Sequence, residues 1–425
     1  MKLKIGIFGG GVVGGGVYEI LSSKIKNKPE TFKKLGIDLV ISKICVRSLS
    51  KKRDYSLGPE CKFVTNYNDI LLDDEINCVV EVMGGITDAK NIVFTAIKKG
   101  KHVITANKAL VAKYLSEIKE LLKENQNVKF CYEAAVCGGI PIIHSLQTDF
   151  FGDEISKIMG IMNGTTNYML SKMEKENVSY DDVLKQAQDL GFAEADPTAD
   201  VEGYDVQAKI ALLANLAYGK TVPTDIIPTS GISNISKVDF EYTKMMDSTI
   251  KLIGCASLNK NKLSVFVSPM VISTDSSLSS TAGPGNMVLI KSKNNQESIF
   301  SGPGAGRYPT ANSVINDIIR LNLEQTTNPF PLDENNLEID NNYEASFYIR
   351  INVKDNIGII KSVGEKAAEN NISIHSILQN PITSHSNLNF VLTTEKCFLN
   401  QIQKFIASLE CCSYILSKPL FMPIG

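Results

Sequence analysis

Lys2-Leu-Lys-Ile-Gly-Ile-Phe8-Gly9-Gly-Gly11-Val12-Val13-Gly14 opens the chain, and its reading decides the fold. Residues 2–8 form a short apolar strand, and a helical stretch runs from about 12 to 23. Gly9, Gly11 and Gly14 therefore make a GxGxxG run between a strand and a helix. Each glycine has a physical task in binding a dinucleotide: a tight turn, close approach of backbone to pyrophosphate, and close packing of helix on strand. The pyrophosphate rests on the free N–H groups of the helix N-terminus, beside Val12 and Val13. A glycine turn with a purely structural role is the alternative. The position directly after a buried-looking strand favours the dinucleotide.

Outward from this unit the alternation continues. Residues 39–46 and 77–82 read as strands, and 88–99 as a helix with Gly100 at its C-cap. Then come a strand at 102–105, a helix at 109–124 and a strand at 128–132. Strands alternating with helices predict an α/β fold, a Rossmann-type doubly wound parallel sheet over residues 1–135. After Ile140 the rhythm changes. Helices at 180–190 and 201–218 mix with strands at 263–267 and 287–291, which predicts a second, α+β domain over 136–306. Gly302–Gly306 reads as a tight turn. The following helix, about 307–325, is expected to complete the first domain. Residues 328–343 combine Asn, Pro and acids, a linker composition. Residues 344–425 show a compact β-α-β-β-α-β pattern, with strands at 346–353, 373–379, 387–393 and 413–416.

The 425 residues suffice for two or three domains. With 44 basic and 46 acidic residues the formal net charge is −2, which offers no positive excess to a phosphate backbone. Nucleic acid is not an expected partner. No apolar run approaches the ~20 residues of a bilayer span, so no membrane is expected either. Six glycines between Gly9 and Gly16 argue against reading the start as a signal peptide. Nine cysteines, an odd number with no CxxC pair, predict reduced thiols and a cytoplasmic protein. The four histidines lie far apart, at no metal-ligand spacing from a cysteine. Proton chemistry then falls to Lys, Asp or Glu.

The end of the second strand selects the cofactor. It reads Cys45-Val46-Arg47-Ser48, then Lys51, Lys52 and Arg53, with no carboxylate before Asp54. NAD calls for an acid here; Arg47 suits the 2′-phosphate of NADP. A solvated basic loop is the alternative. Farther on, Gly191-Phe-Ala-Glu194-Ala-Asp196-Pro-Thr-Ala-Asp200-Val-Glu202-Gly-Tyr-Asp205-Val-Gln-Ala-Lys209 is dense in carboxylates. Asp205 and Lys209 are i and i+4 on one helical face. An exposed ion pair worth about 0.3–0.5 kcal/mol is one account. The apolar residues 210–214, Leu216 and Ala217 argue instead for a buried helix, and a lysine at the mouth of one is a candidate for proton transfer. Lys108 and Glu133 each follow a strand end, where open α/β sheets bind their ligands. Either alone would more often be structural; their shared position raises the interest.

Taken together, Glu81-Val-Met-Gly-Gly, Gly100-Lys-His-Val-Ile-Thr-Ala-Asn-Lys108-Ala, Glu133-Ala-Ala-Val-Cys-Gly-Gly-Ile-Pro-Ile, Asn163-Gly-Thr-Thr-Asn-Tyr, the 194–209 segment and Ser301-Gly-Pro-Gly-Ala-Gly306 resemble homoserine dehydrogenase. They occur in that family's order over residues 1 to about 325, and the nucleotide fold at the N-terminus looks like the monofunctional form. The resemblance implies NAD(P)-dependent interconversion of L-homoserine and L-aspartate 4-semialdehyde, in the branch to threonine, methionine and isoleucine. It implies Lys209 as the proton donor and acceptor, and Lys108 as a lysine at the nicotinamide end that assists. It implies Glu194 and Asp205 as homoserine-binding residues, and Gly191 and Gly304 as cofactor contacts. Glu133, with the carbonyls of Val136, Gly138 and Ile140, matches a monovalent-cation site, sodium in most cases. The resemblance also implies that 136–306 is the catalytic and dimerisation domain, in a homodimer or homotetramer.

Residues 344–425 resemble an ACT domain, a ferredoxin-like module that binds amino acids. The match runs through Tyr348-Ile-Arg-Ile-Asn-Val-Lys-Asp355-Asn-Ile-Gly358 and Asn371-Ile-Ser-Ile-His-Ser-Ile. Threonine is the effector the resemblance suggests. Ile357 stands where the family usually has Pro, which leaves a dimerisation module without effector as the alternative. Two other functions stay open on the sequence: a non-catalytic NADP-binding regulator, and a dehydrogenase for another alcohol or semialdehyde.

Overall fold

In the computed structural model, which describes residues 2–322, 330–331, 336–381 and 387–425, six strands form one parallel sheet. They are β1 (Lys2–Phe8), β2 (Asp38–Cys45), β3 (Lys62–Val64), β4 (Cys78–Glu81), β5 (His102–Thr105) and β6 (Phe130–Cys131). Their order is β3-β2-β1-β4-β5-β6, all parallel. This is the doubly wound order expected, with its topological switch between β1 and β4. A parallel sheet is covered on both faces, so its strands are apolar nearly throughout. Leu3, Ile5, Ile7 and Phe8 have no exposed surface, and β4 and β5 are buried along their whole length.

The helix Val12–Asn27 follows the glycine run, and the helix Arg307–Asn322 packs against it. Gly16 permits the approach: a Cβ there would lie 2.9 Å from the Arg307 carbonyl oxygen and 3.1 Å from Ala311 Cβ. Val17, Leu21, Val314, Ile315 and Ile318 close that core over Leu3 and Ile5. Residues 323–325 of the expected helix lie outside the described residues.

The chain forms two compact units. The first comprises Met1–Ile158, Ala208–Ile226 and Val288–Asn336; the second comprises Met159–Gln207, Ile227–Met287 and Leu337–Gly425. These units cut across the expected boundaries near 135, 306 and 343. The second unit is built on an antiparallel hairpin of Ser248–Asn259 with Lys262–Ser273. The expected single helix over 201–218 is broken into Thr198–Val201 and Tyr204–Tyr218. The break is Gly203, whose φ of +83° a side-chain-bearing residue adopts only with strain.

Within the second unit, strands Glu344–Val353, Ile374–Leu378, Leu388–Thr394 and Leu420–Ile424 form an antiparallel sheet in the order fourth-first-third-second. With helices Ile359–Glu369 and Leu399–Glu410 this is the ferredoxin-like β-α-β-β-α-β layout. The last strand is not the expected 413–416. There the pairing is reduced to an isolated bridge of Ile415 to Val353, with Leu416 N donating to the Asn352 carbonyl at 3.0 Å. Leu420–Ile424 takes the place, and its end pairs onward with the hairpin at Ile424↔Val271. Of the expected linker, residues 328, 329 and 332–335 lie outside the described residues. Its described parts are packed: in the first unit Phe330 is buried and stacks on Tyr132 at 5.2 Å, and in the second Glu338–Ile339 pairs with Lys262 and Leu263. All nine cysteines are free. Among the described residues no helix is long and apolar enough to cross a membrane.

Candidate active site

The glycine run sits at the carboxyl end of β1. Gly9 has a φ of +110°, and a Cβ on it would lie 2.6 Å from the Val82 carbonyl oxygen. A Cβ on Gly14 would lie 1.8 Å from the Gly9 carbonyl oxygen. Both glycines are therefore required by the chain itself. Gly11 is different. Its φ is −89°, and a Cβ on it would meet nothing within 4 Å. Nothing in the protein demands glycine there, so the open space above it fits a ligand that must come close. The helix beginning at Val12 has no side-chain cap and no acid in its first turn, which leaves its N-terminus fit for a pyrophosphate. Val12 is exposed beside it.

A cavity of about 330 Å³ opens here, lined by Gly9, Gly11, Arg47, Lys51, Tyr67 and Val82, among others. Arg47 is exposed, and among the described residues it has no hydrogen bond or ion pair. Arg53 serves the loop itself: its guanidinium donates to the carbonyls of Lys51 (2.8 Å) and Ser48 (2.9 Å) and lies over Phe63. Asp54, the first acid after β2, is held by Arg307, which also donates to Glu19 at 2.8 Å.

The ends of β4 and β5 are joined by a network that the sequence did not disclose. Buried Glu81 accepts hydrogen bonds from Thr105 Oγ1 (2.7 Å) and Met83 N (2.9 Å). Burial pushes its carboxyl up, and these donors pull it back. Thr105 Oγ1 accepts from Asn107 N at 3.0 Å. Asn107 Nδ2 donates to the Gly85 carbonyl, and its Oδ1 accepts from Leu110 N. Asn107 thus caps the helix Lys108–Lys113 and fixes half-buried Lys108 at its first position.

Glu133 closes a buried cluster in the same unit. Its Oε1 accepts from Ile143 N (2.9 Å) and its Oε2 from His144 N (2.8 Å) and Arg320 Nη1 (3.1 Å). Its own N–H donates to Asp317 Oδ2 at 3.0 Å. Burial pushes the Glu133 carboxyl up, and pushes that of Asp317, with Glu133 beside it, up to about 8. The loop that follows turns through Cys137 (φ 54°) and Gly138 (φ 46°). It is pinned by Gly139 N donating to the Pro303 carbonyl (3.0 Å) and Ser313 Oγ donating to the Gly138 carbonyl (2.7 Å). A Cβ on Gly138 would lie 2.5 Å from the Gly304 carbonyl oxygen, so the 302–306 turn rests directly on this loop. The Ile140 carbonyl accepts from Ile142 N, and Val136 is fully buried. Among the described residues no group of three or more His, Cys, Asp or Glu could hold a metal ion.

In the second unit, Gly191 has a φ of +76° just past the helix Tyr180–Asp189. Glu194 is exposed, with its carbonyl accepting from Gln188 Nε2 at 3.1 Å. Asp205 is buried and accepts from Asn163 Nδ2 at 2.9 Å. The same nitrogen donates to Asp200 Oδ1 at 2.6 Å. The structure thus adds Asn163 and Asp200 to the residues singled out from sequence. In the first unit, Lys209, on the helix Tyr204–Tyr218, is 7% exposed, so an exposed ion pair is excluded.

Comparison with known proteins bears on these features. The sequence model for "Homoserine dehydrogenase" matches residues 141–319. That for "Homoserine dehydrogenase, NAD binding domain" matches residues 9–133. A homoserine dehydrogenase of Bacillus subtilis (strain 168) is 38% identical over 392 residues, covering 91% of this chain and 89% of its own. A crystal structure of a homoserine dehydrogenase from Thiobacillus denitrificans superposes with a TM-score of 0.92 at 31% identity, over 100% of this chain and 98% of that one. A hyperthermophilic archaeal homoserine dehydrogenase in complex with NADPH has a TM-score of 0.63 at 28% identity, over 77% of this chain and 99% of that one.

Proposed function

The chain belongs to the homoserine dehydrogenase family, and on that premise we propose how its residues divide the work of NAD(P)-dependent oxidation of L-homoserine to L-aspartate 4-semialdehyde and its reversal. The dinucleotide, when bound, supplies or takes up the hydride. Gly9, Gly11, Val12, Val13 and Gly14 cradle its pyrophosphate, with Gly191 and Gly304 as further contacts. Lys209 donates a proton to the substrate oxygen as the aldehyde is reduced, and removes it from the hydroxyl in the other direction. Its ammonium also stabilises the negative charge that builds on that oxygen. Burial of Lys209 keeps bulk water from competing for the proton. Lys108, fixed by the Asn107 cap, assists. Glu194 and Asp205 take the substrate's α-ammonium, with Asp205 already ordered by Asn163.

The observation that carries this reading is the helix Tyr204–Tyr218 itself. Two buried ionisable groups, Asp205 and Lys209, lie near the head of one helix, and residues 210–214 after them are all apolar. The deciding experiment is a substrate panel of homoserine, lactate and malate with NADP and with NAD. Turnover of homoserine alone is expected; a preference for lactate or malate would refute the reading.

NADP is the preferred cofactor in this proposal, with NAD as the weaker one. Arg47 is exposed at the rim of the cavity, Asp54 is committed to Arg307, and the archaeal relative was solved with NADPH. A monovalent cation, sodium, is held by Glu133 with the carbonyl oxygens of Val136, Gly138 and Ile140, a hard ion on hard ligands. The C-terminal module acts as an ACT domain at which threonine inhibits, in a cytoplasmic homo-oligomer serving threonine, methionine and isoleucine synthesis. Added threonine should then lower homoserine turnover by the full-length enzyme.

A further inference from the structure

We infer that Asn163 is a positioning residue for the substrate's amino group: its one amide nitrogen holds Asp200 and Asp205 together as an ionised pair that receives a primary ammonium. The inference rests on the assignment of Asp205 to the α-ammonium of homoserine. Asn163 is 5% exposed, so water does not satisfy its amide. Its Oδ1 accepts from Thr166 N at 2.9 Å and from Thr166 Oγ1 at 3.1 Å, capping the helix Gly164–Glu176. That cap fixes which way the amide faces. The reverse orientation would set Oδ1 against two carboxylates, acceptor against acceptor. Nδ2 therefore points at Asp200 Oδ1 (2.6 Å) and Asp205 Oδ2 (2.9 Å), and both of its hydrogens are committed.

The two acids come from different helices, Thr198–Val201 and Tyr204–Tyr218, with Gly203 at φ +83° between them. Sharing one nitrogen brings their oxygens no farther apart than the two hydrogen bonds laid end to end. Two carboxylates so close repel, and one of them tends to take up a proton. An amide N–H donates to the ionised form and so opposes that protonation. But the amide is neutral and cancels none of the negative charge itself. A compact ammonium with three donors relieves the repulsion directly. A serine or threonine at 163 has one hydrogen to give and cannot bridge two acids. Only an amide or a cation can, and a cation would fill the place the substrate needs.

The test is Asn163→Asp, read as a split between KM and kcat. Asp caps a helix as well as Asn does, so the fold is kept, but the shared donor becomes a third acid. The KM for homoserine should rise at least tenfold, with the KM for NADP close to wild type and the melting temperature lowered by the buried third acid. Once protonated, the substituted carboxyl is again a donor. The defect should therefore narrow as pH falls, which a merely structural role would not produce. Asn163→Ser, which keeps a cap acceptor but not the bridge, should raise the homoserine KM without that narrowing. An unchanged homoserine KM in either folded variant, or a defect in Asn163→Asp that is constant with pH, would overturn the inference. Asp205→Asn, measured alongside, separates the premise. If it leaves the homoserine KM unchanged, the assignment of Asp205 fails. If it raises KM while the Asn163 variants do not, only the role of Asn163 fails.

Discussion

Gly11→Ala separates binding from folding at the glycine run. The new Cβ meets no atom within 4 Å, and the backbone at φ −89° suits any residue. Losing glycine at a helix N-cap costs up to about 1 kcal/mol, offset in part by a less flexible unfolded chain. The variant should therefore fold with stability within about 1 kcal/mol of wild type. Affinity for NADPH should still fall at least tenfold, about 1.4 kcal/mol, because the methyl group enters the space the pyrophosphate requires. Gly14→Ala provides the contrast. Its Cβ would lie 1.8 Å from the Gly9 carbonyl oxygen, and rigid backbone stands on both sides. Overpacking of this kind costs about 1–3 kcal/mol or more, so here the fold itself should weaken. Thermal melts of both proteins and fluorescence titrations with NADPH provide the two readouts. If Gly11→Ala binds NADPH as wild type does, the space above Gly11 is not the pyrophosphate's and the cofactor site is misplaced.

Arg47→Ala should weaken NADPH more than NADH, since only NADPH carries the 2′-phosphate; equal weakening in titrations would reduce Arg47 to a general surface charge. Lys209→Ala should lower kcat at least ~10²-fold with cofactor affinity nearly unchanged; wild-type turnover of homoserine would remove Lys209 from the proton path. Asp317 is pushed up to about 8 in the folded protein, against about 3.9 in an unfolded chain. Between those values the folded state holds a proton that the unfolded state has lost, so this group makes stability fall as pH rises from about 4 to about 8. Asp317→Asn removes the titration. Its melting temperature relative to wild type should climb across that window, and parallel curves would show that Asp317 ionises normally.

The first sheet was legible because its signals are local. A buried parallel strand is apolar along its length, and the glycines that follow sit within six residues of one another. That Asp205 and Lys209 share one helix was legible for the same reason, since they are four residues apart. What escaped was long-range or masked. The link from Asn163 to Asp200 spans 37 residues of sequence, and that from Glu81 to Thr105 spans 24. The strand Ser248–Asn259 is buried almost throughout, so it shows no alternation to separate it from a helix. Leu420–Ile424 was hidden by Pro419 and Pro423, since proline argues against a strand. Pro423 is tolerated opposite Phe347, near the end of that pairing. Asn, Pro and acids made 328–343 look like a linker, yet Phe330 and Glu338–Ile339 are held by packing and strand pairing that composition does not reveal.

That packing changes what the C-terminal module is to the enzyme. Asp239, with no exposed surface, accepts from Arg350 Nη1 (2.6 Å), Tyr348 Oη (2.9 Å) and Ser236 N (2.8 Å). Burial pushes its carboxyl up and Arg350 pulls it down. Removing one partner of such a pair costs about 3–5 kcal/mol, because the other is left buried and charged. Cutting the chain before Glu344 would strip Asp239 of both Arg350 and Tyr348, and would bare the hairpin edge at Val271. The module is therefore not a detachable appendage. The same contacts lead toward Asp200 and Asp205. Arg350 Nη2 donates to the Asn234 carbonyl (3.1 Å), and Ile232 N, two residues before it, donates to the Val201 carbonyl (2.8 Å). A Cβ on Gly231 would lie 2.2 Å from that same Val201 oxygen, so the loop bears directly on the turn between Asp200 and Asp205. An effector on the module influences homoserine binding only if it favours one of two arrangements. The 231–236 loop, clamped by Arg350 on one side and by Val201 on the other, is where two such arrangements would have to differ.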